Sequence, residues 1–93
     1  MSLSTDERAL LTLISASPEP VVMSDFFHEL SPPAPGMNER HPGHEEWLLR
    51  QIEWHRVSVR LWQQNYVRIV APANGERGDM VKPTEVGLTA LTA

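Results

Sequence analysis

Residues 65–91 read NYVRIVAPANGERGDMVKPTEVGLTAL, and the hydrophobic period changes twice within this run. Tyr66-Val67-Arg68-Ile69-Val70 alternates and is rich in β-branched and aromatic side chains, the pattern of a half-buried strand. Pro72 to Asp79 contains Asn74-Gly75 and Arg77-Gly78, pairs that accept the backbone angles of a tight reversal. Met80-Val81-Lys82 then forms a short return strand. Thr84-Glu85 supplies a hydroxyl and a carboxylate that cap the start of a last helix carrying Val86, Leu88 and Leu91, with Gly87 inside it. A hairpin followed by a short helix is therefore expected.

Upstream, Glu45 to Asn65 contains neither Gly nor Pro and opens with two carboxylates, as a helix N-terminus prefers. A third helix is placed at about residues 44–64. At 100° per residue, Trp47, Leu48, Ile52, Trp54, Val59, Leu61 and Trp62 fall on one broad arc. Glu53, Arg56 and Arg60 fall opposite, Arg50 and Gln63 lie at the edges, and Leu49 and Val57 interrupt the polar side. So apolar a helix calls for two partners, its own core and a second subunit or flap.

Residues 31–43 hold Pro32, Pro33, Pro35, Pro42, Gly36 and Gly43, and read as a loop long for a small domain. Before it, Ser24 is a candidate N-cap for a second helix at about residues 24–30, with Phe26, Phe27 and Leu30 on its apolar side. Val21 to Met23 is extended and available as a third strand. Ser4 or Thr5, followed by Asp6 and Glu7, caps a first helix at about residues 5–16, which Ser17-Pro18-Glu19-Pro20 ends. The expected class is α+β, mostly α, in a single domain spanning 1–93.

Composition narrows the field of functions. A hydrophobic share of 41 % and three tryptophans are too apolar for a disordered chain. The absence of cysteine removes disulfides, thiolate metal sites and a cysteine nucleophile, and fits a reducing, cytoplasmic setting. No apolar run is long enough to span a bilayer, so no membrane association is expected. Eight Lys and Arg against twelve Asp and Glu give a net charge of −4, so any nucleic-acid surface must come from local clustering.

The element order, and above all residues 65–91, resembles the winged-helix superfamily, MarR-like and PadR-like regulators in particular. In those proteins a third helix runs into a first wing strand. A Gly- and Asp-containing wing follows, and then a strand that ends in a Leu-Thr-x-x-Gly segment opening the next helix. Here Asn65 to Val70, Asn74 to Asp79 and Pro83 to Leu91 occupy those places, with Pro83 where the Leu stands. The resemblance implies three helices, a two- or three-stranded wing and a short C-terminal helix. It also implies a homodimeric, DNA-binding transcriptional regulator. Two features depart from it: the connection between the second and third helices is long and proline-rich, and the third helix is nearly twice the usual length.

On that reading Arg56, Arg60, Gln63 and Gln64 of the third helix reach bases or phosphates, Arg77 reaches the backbone from the wing tip, and Arg68 and Lys82 add phosphate contacts. The alternative is a solvated helix face, with the fold used as a protein-interaction module through the long loop and the tryptophan face. Trp47 and Trp54 would then bury in a partner rather than in the core. The element order and the arginines favour DNA; the acidic balance and the loop favour a protein partner. His55 is read as a hydrogen-bonded core histidine. His41 and His44, even with Glu45, Glu46, His28 or His55, have no spacing that fixes a third and fourth metal ligand and read as surface groups. No nucleophile elbow, phosphate loop or His-Glu-x-x-His motif is present, so neither catalysis nor a cofactor is expected.

Overall fold

The computed structural model describes residues 3–92; residues 1, 2 and 93, the ends of the expected domain, lie outside that range. Helix α1 is Thr5–Ala16, opened by a capping box in which the Ser4 hydroxyl accepts from the Glu7 amide and the Glu7 carboxylate accepts from the Ser4 amide. Strand β1 is Val21–Val22, and a 3₁₀ turn at Met23–Phe26 runs into the short α2, Phe27–Leu30. Helix α3 is His44–Gln63, strands β2 and β3 are Val67–Ala71 and Met80–Pro83, and α4 is Glu85–Thr92. The protein is α+β and mostly helical, with one three-stranded antiparallel sheet in the order β1-β3-β2.

Local chemistry explains the boundaries. Helix α3 stops because Asn65 takes a left-handed backbone, φ 62°. The Asn65 and Tyr66 amides donate to the carbonyls of Trp62 and Leu61, so the last turn closes on itself. This exit delivers Val67 directly into the sheet. Thr84 starts α4: its hydroxyl donates to the Asn65 carbonyl at 2.6 Å and accepts from the Gly87 amide at 3.0 Å. The Ser24 cap is corrected, since Ser24 lies inside the 3₁₀ turn and no side chain caps either short element.

One core joins the elements. Leu10, Leu11 and Ile14 of α1 meet Trp54, Val57 and Leu61 of α3, with Phe27, Tyr66, Val67 and Val81 closing the sides. Alternation in the hairpin sets which residues face it. Arg68 pairs with Lys82 and Ile69 with Val81, so with Val81 buried, Ile69 is on the inner face while Arg68 and Lys82 point outward. The expected loop at 31–43 is irregular throughout.

Candidate functional site

The face α3 turns inward keeps only Trp47, Trp54 and Leu61 of the arc expected from periodicity. Trp54 is 2 % exposed, and Val57, Ser58 and Leu61 are buried with it. Leu48, Leu49, Ile52, Val59 and Trp62 instead stand in the open, at 42, 60, 52, 37 and 52 % exposure. Polar anchoring explains the rotation. Arg50 makes a two-pronged ion pair with Asp6 on α1, both contacts at 2.9 Å, and lies over the Trp54 ring at 4.6 Å. The indoles of Trp47 and Trp54 donate to the Ser31 carbonyl (3.0 Å) and hydroxyl (2.7 Å), and Gln51 donates to the same carbonyl at 3.1 Å. Farther along, the Gln64 amide donates to Glu7 at 2.9 Å.

These contacts correct the partner assignment of Trp54. Trp54 is core, and Trp47 is half-buried and fastened to the head of the long loop, with His28 edge-on at 5.2 Å. Trp62, assigned to the core arc, is the exposed one. His55 is exposed, not a core histidine. It lines an apolar groove of about 250 Å³ between α3 and the inner face of the sheet, with Met23, Ser58, Val59, Trp62, Ile69, Asp79 and Val81.

The seven cation and amide candidates differ in what each one touches. Arg56, Arg60 and Gln63 are exposed on α3. Arg56 sits 3.8 Å from Glu53, and the charge of Arg60 is close enough to help hold the Asp6 and Glu7 carboxyls below their usual range. Gln64 is taken by Glu7. Arg77 closes its own turn, donating to the carbonyls of Pro72 and Gly78 at 3.1 Å each. Arg68 and Lys82 lie on the outer face of the hairpin, directly opposite each other. Among the described residues, no three His, Asp or Glu side chains gather as metal ligands, and the His41 ring nitrogen accepts from the Gly43 amide. Among the same residues, no helix is long and apolar enough to cross a membrane.

Spacing in the sequence marks this stripe without showing that it is exposed. Leu48, Ile52, His55, Val59 and Trp62 are spaced by steps of four, three, four and three. No protein-family model matches this chain, and comparison with curated proteins and with solved structures returned no match.

Proposed function

We propose that this chain is a winged-helix module in which α3 serves protein association rather than base reading. The winged-helix reading draws on the order of the elements and on β1 joining the hairpin through β3. In a DNA-binding member the third helix lies in the major groove, where base edges offer hydrogen-bond donors and acceptors. The observation that carries the proposal is the apolar outward surface of α3: Leu48, Ile52, Val59 and Trp62, continuous at its C-terminal half with an apolar groove. Such a surface gains little from a groove edge and much from an apolar partner. The two arginines beside it have carboxylate neighbours, and the chain as a whole carries −4.

A second reading keeps nucleic acid but moves it off α3. Like charges directly across a strand pair are unfavourable, and Arg68 with Lys82 is such a pair, well suited to one shared phosphate. Anisotropy titration against a mixed-sequence duplex at low salt separates the readings. The association reading expects no saturable binding. Binding that falls steeply with salt and is lost in Arg56→Ala/Arg60→Ala overturns it. Loss only in Arg68→Ala/Lys82→Ala moves the assignment to the outer sheet face.

A further inference from the structure

We infer that the occupant of the exposed α3 stripe is a second copy of this chain, laid antiparallel along it about a twofold axis near His55. The inference rests on the reading of α3 as an association face.

Spacing is the first argument. Leu48, Ile52, His55, Val59 and Trp62 recur at an average of 3.5 residues, the repeat that keeps one helix edge against another. The stripe runs for about 21 Å at 1.5 Å per residue. It is also nearly palindromic. A twofold at His55 sets Leu48 opposite Trp62 of the partner subunit and Ile52 opposite Val59 of the partner subunit, so each contact pairs a different size and occurs twice. The groove beside Val59 and Trp62, about 250 Å³ and reaching Ile69, then receives the partner's Leu48.

Charge supplies the orientation. The N-terminal half of α3 carries Glu45, Glu46 and Glu53, while the arginines outside the core contacts, Arg56 and Arg60, lie in its C-terminal half. An antiparallel pair brings unlike halves together and opposes the helix dipoles; a parallel pair sets carboxylates against carboxylates and guanidinium groups against each other. Arg56 nears its counterpart close to the axis, where Glu53 of each copy, 3.8 Å from its own Arg56, offsets the repulsion.

The test is sedimentation over a concentration series, with circular dichroism to confirm folding. The native chain is expected to dimerise. Ile52→Glu and Val59→Glu, both at exposed positions, should weaken the dimer by about 100-fold or more, and His55→Leu should tighten it by about tenfold. Because the chain has no cysteine, single cysteines report the geometry under oxidation. His55→Cys should cross-link to itself, and Leu48→Cys should cross-link only when mixed with Trp62→Cys. Self-linking of Leu48→Cys shows a parallel pair and overturns the arrangement. A dimer indifferent to Ile52→Glu, or a monomer at every concentration, overturns self-pairing. A photoreactive residue at position 59, introduced in cells, then decides the underlying reading. Capture of neither a second copy nor any other protein removes the association reading as well.

Discussion

At the residue scale, the join between α1 and α3 is electrostatic as well as apolar, and this gives it a pH signature. Asp6 is held below the usual carboxylate range first by the hydrogen bonds from Arg50; burial opposes this, and the charges of Arg50 and Arg60 add to it. For Glu7, burial pushes upward, but hydrogen bonds from Ser4 and Gln64 and the charge of Arg60 together outweigh it. A carboxyl whose pKa is lower folded than unfolded stabilises the fold fully above the unfolded value, about 4. That contribution disappears as pH falls through the folded value. The pair is a third exposed, so Asp6→Asn is expected to cost about 1 kcal/mol at pH 7, or roughly 4–8 °C in Tm. Thermal melts from neutral pH into strong acid check it: the gap between wild type and variant should be open at neutral pH and shrink as falling pH protonates the folded carboxyl, below the unfolded value of about 4. A gap that persists in acid would mean Asp6 acts through packing alone.

At the element scale, the long loop is anchored by one residue. Ser31 accepts three hydrogen bonds from α3, two at its carbonyl and one at its hydroxyl. Ser31→Ala leaves the Trp54 indole N–H unpaired in a buried place, a cost of about 1–2 kcal/mol. Ser31→Thr keeps the hydroxyl and should cost less, which paired thermal melts will resolve. This contact also explains what the sequence could and could not tell. Local signals were legible: a hydroxyl cap at Ser4 or Thr5, the Thr84 cap, the alternation at Tyr66 to Val70 and the Gly- and Pro-free run of α3 all depend on neighbours within a few positions. Gly87 was visible inside a helix, and its reason is tertiary: a methyl group there would collide with the Tyr66 carbonyl. The inward face of α3 was not legible. Periodicity counts Leu48 and Ile52 as core because they are apolar, whereas Arg50, Gln51 and Gln64 lie on the inner side because Asp6, Ser31 and Glu7 await them far along the chain. The same long-range contacts expose Trp62 and bury Trp54, so two tryptophans of one predicted arc end in opposite surroundings.

At the scale of the whole molecule, net charge and surface chemistry make opposite demands on the two readings of α3. Each copy carries −4, so two copies repel at long range, while unlike halves of α3 attract at short range in the antiparallel pair. Salt screens both terms, and they oppose each other. The remaining drive is burial of Leu48, Ile52, Val59 and Trp62, which ionic strength hardly alters. The dimer dissociation constant is therefore expected to stay within about threefold between about 50 and 500 mM salt, measured by sedimentation. A DNA complex through the same helix would behave differently. Each phosphate neutralised by Arg56 or Arg60 releases a counterion, so affinity would drop by orders of magnitude over that range. Self-association that collapsed with salt would place its energy in the charged flanks instead of the stripe, and Ile52→Glu would then be the wrong variant to break it.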